Sequence, residues 1–145
     1  MLRKILFPVD FSENTQKVKK QLKKLADCSR EVILLHVIDI RMFSVPVYLD
    51  VPEVNDFILE KDVINNVKTQ LGKIKTELEK AGFKKVRLMV EEGIPFDTIL
   101  DVAESKKVTS IIIGDQGHNA VERMLLGSTA EKVVRKAKVP VLVIK

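Results

Sequence analysis

Ser110–Thr129, SIIIGDQGHNAVERMLLGST, joins an apolar strand to the start of a helix through a long connection punctuated by glycines. The run Ser110–Ile113 ends at Gly114 and is apolar without alternation, the pattern of a strand covered on both faces. Gly127 stands immediately before Ser128 and Thr129, where the next helical period begins. A helix start presents backbone N–H groups without partners and the positive end of the helix dipole. A glycine there lets an anion approach the backbone, and two small hydroxyls add donors. Taken singly, Gly114 also suits a turn that ends a strand, and Gly127-Ser128 suits a plain helix N-cap. Taken together, the spacing G-x2-G-x9-G-S-T is far more specific.

Working outward, five short apolar runs alternate with four helical patterns. Strand 1 is predicted at Ile5–Val9, and Asp10 and Ser12 then open helix 1 with Ser12 as N-cap. Strand 2 is Val32–Ile38. In helix 2, Val63, Val67, Leu71, Ile74, Leu78 and Ala81 recur every three or four residues, and Gly82 follows as the C-terminal cap. Strand 3 runs over Val86–Glu91, and Pro95 opens helix 3, where Phe96, Ile99, Leu100 and Ala103 share a face. Helix 4 starts near Ser128 and is expected to bury Ala130, Val133, Val134 and Ala137. Strand 5 is Val141–Ile144, entered through Pro140. Strands separated by helices imply right-handed crossovers, hence an open, doubly wound α/β fold with a five-stranded parallel sheet. In such sheets ligands bind beyond the carboxyl ends of the strands, where connections diverge to opposite faces.

The chain's 145 residues suit one domain over 1–145, and the 46% hydrophobic and 31% charged content is that of a globular protein. Residues 41–60, with two prolines and no clean period, read as a long excursion between strand 2 and helix 2. No apolar run approaches the roughly 20 residues of a membrane span, and the start lacks a signal-peptide pattern. The single cysteine, Cys28, forms no internal disulfide and is expected to pack near the end of a helix; a reducing cytoplasm is the expected home. The net charge is +5, and the densest basic stretch is KVKKQLKK, where Lys17, Lys19, Lys20, Lys23 and Lys24 are expected to form the outer face of a helix lined inside by Val18, Leu22 and Leu25. No aromatic residues interleave with these lysines, which argues against nucleic acid as a partner.

Phosphate motifs of other classes, GxxxxGK[ST] and GxGxxG, are absent. His36 lies within an apolar strand and reads as a half-buried, satisfied histidine. Glu91 and Glu92 fall on opposite faces, which is poor geometry for a carboxylate pair. His118 and Arg123 lie in the loop; either could approach a phosphate or simply face solvent.

The glycine spacing, together with ILFPVDFSE, ILLHVID, GIPFDTIL and PVLVIK, resembles the nucleotide-binding class of universal stress proteins over essentially the whole chain except residues 41–60. The resemblance implies a Rossmann-like sheet of order 3-2-1-4-5, of the adenine nucleotide alpha hydrolase-like kind, and a bound adenine nucleotide, ATP, ADP or AMP. It implies that Pro8 and Val9 border the adenosine pocket, that Asp10 lies near ribose and a nucleotide-bound Mg or Mn ion, and that Val37 touches adenine. Ile113 would lie at the pocket's base, with Gly114, Gly117, Gly127, Ser128 and Thr129 around ribose and phosphates. It further implies a homodimer through the last strand, Val141 to Lys145. Inside the loop, Asp115, Gln116 and His118 stand where relatives carry a small hydroxyl residue, a His or Arg, and a Lys or Arg. This adds a carboxylate, removes a permanent cation, and leaves the preferred phosphate count open. The expected role is a regulatory, stress-response nucleotide switch. The rivals are a slow ATPase or autophosphorylating enzyme using Asp10 and Ser128 or Thr129, and an interaction module without nucleotide.

Overall fold

The computed structural model describes residues 1–43, 56–116 and 125–145. Its strands are β1 (Lys4–Pro8), β2 (Glu31–Asp39), β3 (Val86–Gly93), β4 (Ser110–Gly114) and β5 (Val141–Ile144). The helices are α1 (Glu13–Lys23), α2 (Asp56–Lys80), α3 (Pro95–Ser105) and α4 (Ser128–Lys136). All strand pairs are parallel, and the order is β3-β2-β1-β4-β5. The doubly wound sheet expected from the sequence is therefore present. Part of the expected excursion at 41–60 is helical: Ile40–Phe43 form a 3-10 turn, and α2 already begins at Asp56. The remainder of that excursion, 44–55, lies outside the described residues.

The strands lack polar alternation because both faces are covered. Ile5, Phe7, Val32 and Leu34 pack with Val18 and Leu22 of α1 and with Leu71 and Leu78 of α2. The intervening residues Leu6, Ile33 and Leu35 join Ile111 and Ile113 against Ile99 and Val102 of α3 and Val133 of α4. Successive residues thus feed two different cores, as the twofold side-chain period of a strand requires.

Four sequence expectations are corrected by these faces. Val134 is 43% exposed, because Ala130, Val133 and Ala137 already form the inward stripe and Val134 lies about 100° round the helix from Val133. Val63, expected inside α2, is 38% exposed. Lys19, expected on an outer face, is buried and donates to Glu77 Oε1 at 2.9 Å, tying α1 to α2. Cys28 is exposed in the 3-10 turn Ala26–Cys28, because Leu25 and Ala26 take the inward positions after α1 ends.

Two helices end on the same backbone device. After α2, Gly82 has φ +112, its N–H donates to Glu79 O and that of Phe83 to Leu78 O, a Schellman cap. After α3, Lys107 occupies the equivalent left-handed position at φ +51, with Lys107 N–H donating to Glu104 O and Val108 N–H to Ala103 O. A side chain is disfavoured there and glycine is not. Replacing exposed Lys107 with Gly should therefore stabilise the protein by about 0.5–1 kcal/mol. Urea unfolding should show a higher midpoint and an unchanged slope.

Glu77 also accepts from Lys23 at 3.0 Å. The hydrogen bonds from Lys19 and Lys23 hold its carboxyl below the usual glutamate range, against a smaller opposing effect of burial. A folded-state pKa below the unfolded one contributes stability that is complete above the unfolded value of about 4.3 and is lost as pH falls through the folded value. Glu77→Gln should cost about 1 kcal/mol near pH 7, a modest figure because the carboxylate is partly exposed. The difference from wild type should close as pH falls below about 4.3 and through the lower folded value, read by urea melts across that window.

Candidate functional site

β1 and β4 lie side by side, and the chain leaves them toward opposite faces, to α1 on one and α4 on the other. At this switch point, beyond the carboxyl ends of the strands, lies a crevice of about 560 Å³. Pro8, Val9, Asp10, Val37, Ile113, Gly114, Gly127, Ser128 and Thr129 all line it, so every site residue expected from the sequence except Gly117 converges there. Gly117, His118 and Arg123 lie outside the described residues.

The β1–α1 turn is held from β2. Val9 N–H donates to Leu35 O at 2.7 Å, and His36 Nδ1 lies 2.6 Å from Val9 O. His36 is therefore half-buried and hydrogen-bonded, as its place in an apolar strand suggested. Asp10 Oδ1 accepts from Ser12 N–H at 2.9 Å, Ser12 Oγ at 2.6 Å and Thr15 Oγ1 at 3.2 Å. Ser12 does stand at the N-cap position of α1, but its hydroxyl turns back to Asp10 and makes no side-chain cap. Its role is to orient the carboxylate, not to satisfy a helix amide.

Across the crevice, Gly127 is the N-cap of α4 and, as a glycine, offers no side-chain cap. Gly127 N–H donates to Asp115 O at 2.6 Å, and Gly127 O accepts from Glu131 N–H at 2.9 Å. The first turn of α4 thus meets the crevice with its dipole and with an N-cap residue that carries no side-chain acceptor. The dipole supplies only about 0.3–1 kcal/mol to an exposed anion. Micromolar affinity needs about 8 kcal/mol, so an anionic ligand must gain the rest from contacts along the crevice.

Asp115 and Gln116 fasten the ends of the β4–α4 connection. Asp115 N–H donates to Ile144 O at 2.9 Å, Gln116 Nε2 donates to Leu125 O at 3.2 Å, and Asn14 Nδ2 donates to Gln116 O. At the far rim Arg41 grips Asp39 with Nε at 2.8 Å and Nη2 at 2.6 Å. That side-chain hydrogen bonding holds the Asp39 carboxyl below the usual range, opposed by burial and reinforced by the Arg41 backbone N–H. Among the described lining residues the charged groups are Asp10, Asp39 and Arg41.

Sequence reading missed Asn14, Thr15, Phe11 and the Asp39–Arg41 pair. Asn14 and Thr15 are buried polar residues in the first turn of α1. Their signal was available: two polar residues fall on the inward side just after an expected helix start.

A doubly wound α/β protein with an open crevice at its switch point is thus defined. The family model described as the universal stress protein family matches residues 1–145, and the chain belongs to that family. Universal stress protein MJ0577 of Methanocaldococcus jannaschii is 38% identical over 158 residues, covering 100% of this chain and 96% of that protein. The solved structure of MJ0577 aligns with a TM-score of 0.86. Universal stress protein MJ0531 of the same organism is 31% identical, covering 100% of this chain and 83% of its own length. A universal stress protein of Archaeoglobus fulgidus, solved in complex with dAMP, is 25% identical with a TM-score of 0.65 and full coverage of both chains. The fold is thus the adenine nucleotide alpha hydrolase-like α/β fold of this family.

Gly114 shows how tightly the two halves of the site are set. A Cβ there would lie 2.8 Å from Asn14 Cβ and 3.6 Å from Val18 Cγ2. Gly114→Ala should push α1 away from β4, costing about 1–3 kcal/mol. Thermal melts would check this, and an unchanged melting temperature would mean that α1 is free to shift.

Proposed function

We propose that the chain binds an adenine nucleotide in the switch-point crevice and serves as a nucleotide-responsive regulatory protein in stress response. The observation that carries this reading is the α4 N-terminus, with Gly127 as its N-cap, lining the same crevice as Asp10. The crevice volume of about 560 Å³ falls within the range of small-ligand sites. In this reading Val37 contacts adenine, Pro8, Val9 and Ile113 wall the adenosine, and Asp10 accepts from ribose hydroxyls. Gly114, Gly117, Gly127, Ser128 and Thr129 hold ribose and phosphate, largely through backbone N–H groups. The dAMP complex of the Archaeoglobus fulgidus relative supports the ligand class.

The donor set fits a metal only as part of a metal–nucleotide complex. Among the described residues no three His, Cys, Asp or Glu side chains converge. A Mg or Mn ion near Asp10 would therefore take most of its oxygen ligands from phosphate and water. Because Arg41 already pairs with Asp39, Asp10 is the carboxylate a triphosphate would meet, and it would benefit from arriving with its ion.

The same proposal includes a homodimer through Val141 to Lys145. β5 is a sheet edge, and Leu142 on it is 44% exposed. Among the described residues no helix is long and apolar enough to cross a membrane. A cytoplasmic home is proposed with this reading, and the exposed thiol of Cys28 suits a reducing compartment.

Isothermal titration with AMP, ADP and ATP, each with and without magnesium, tests the site. At least one should bind at micromolar affinity. Gly127→Val, which obstructs the approach to the α4 amides, should weaken binding by about tenfold or more while circular dichroism stays native. A folded variant that binds as well as wild type would show that phosphate is held elsewhere. Mass spectrometry of small molecules released from the denatured purified protein would identify the nucleotide carried.

A further inference from the structure

His36 is a crevice residue to which nucleotide binding alone assigns no task. It lies in β2 between Leu35 and Val37, half-buried, with its Nδ1 2.6 Å from Val9 O. A carbonyl oxygen only accepts, so the proton of this contact sits on Nδ1, and the neutral ring carries its lone pair on Nε2. The same ring packs against Phe11, with centroids 4.9 Å apart and planes inclined by 34°. One imidazole therefore holds the residues immediately before and after Asp10.

The backbone between them needs that support. Phe11 has φ +59, a left-handed conformation that is an outlier for a bulky side chain. Such a residue persists where its surroundings over-determine it, and it clusters at ligand sites. Here the determinants are visible. The Ser12 N–H folds back to Asp10 Oδ1 across Phe11, closing a turn whose central residue is left-handed. The Phe11 ring lands on His36, and the Val9 carbonyl is drawn to the same imidazole. Ser12 Oγ and Thr15 Oγ1 then fix the carboxylate from the α1 side.

We infer that His36 is a positioning residue: by holding Val9 and Phe11 it sets the direction in which Asp10 meets ribose hydroxyls, and so makes the site discriminate a ribose from a sugar lacking them. This role rests on the nucleotide reading above, with Asp10 as the ribose contact. It assigns His36 no proton transfer and no direct ligand bond. A purely space-filling role would be served equally well by any ring of the same size.

The test compares AMP with 2′,3′-dideoxy-AMP by isothermal titration on the full chain. Wild type should prefer AMP. His36→Phe keeps a ring for Phe11 but loses the Nδ1–H bond, and should weaken AMP binding by about tenfold while changing the dideoxy ligand by less than about twofold. His36→Asn, whose amide N–H can stand in for Nδ1–H, should recover most of the AMP preference. Equal weakening of both ligands, or no change for either, overturns the role, because a merely structural residue gives one of those results. Wild-type protein that binds neither ligand overturns the nucleotide reading itself and this role with it. Should His36→Phe fail to fold, His36→Leu, which likewise lacks the Nδ1–H donor, takes its place. Selective loss of AMP binding supports the role, and equal loss for both ligands or no change for either overturns it. A two-bond proton–nitrogen NMR spectrum of His36 near pH 8 should show the Nδ1–H tautomer, and an Nε2–H pattern would contradict the Val9 bond on which the role depends.

Discussion

The rest of the molecule depends on the parallel pairing of β1 with β2 on one edge and β4 on the other. Ile5, Leu6 and Phe7 are completely or almost completely buried, and they point alternately into the two cores. A parallel strand cannot turn back directly, so the chain must leave β1 and β4 through helices that cover a face. Because those helices go to opposite faces, the loops diverge and no side chain has to carve the crevice. The residues at its edge have only to avoid filling it. Gly114 does so where even a methyl group would strike Asn14, and Gly127 does so where a side chain would cap α4.

This dependence explains what could be read from the sequence. Element order, the two covered faces and the ligand end of the sheet follow from apolar runs and helix periods, because burial on both faces leaves a local mark. Two glycines of the spacing, Gly114 and Gly127, line the crevice for a similar reason: close backbone approach needs particular residues at particular places. Other features depend on contacts between distant segments. Lys19 belongs to a run of lysines in sequence, yet Glu77, 58 positions away, draws it between α1 and α2. Val134 satisfies a loose helical period, but the stripe through Ala130, Val133 and Ala137 is wide enough to cover the sheet without it. Ser12 has the residue type and position of an N-cap, and only the placement of Asp10 shows where its hydroxyl bonds. The Phe11–His36 contact has no short-range signature, since strand β2 and the β1–α1 turn meet only after the sheet forms.

Among the described residues, the two non-glycine residues in left-handed backbone, Phe11 and Lys107, separate structural need from site geometry. Lys107 terminates α3, and both hydrogen bonds of its cap are made; glycine could do the same work with less strain. Phe11 terminates nothing. Its conformation closes the Asp10 turn, and its ring is needed where it lies, against His36. Glycine there would relax the backbone and discard the contact that holds the turn in place. Local rules are broken at both ends of the sheet, but at the carboxyl end the break coincides with a glycine N-cap and an oriented carboxylate. That coincidence is expected where a fold gives up some local stability to keep a ligand-sized space in a fixed shape. The crevice is thus maintained as much by the residues that hold Asp10 from behind as by the glycines that leave room in front.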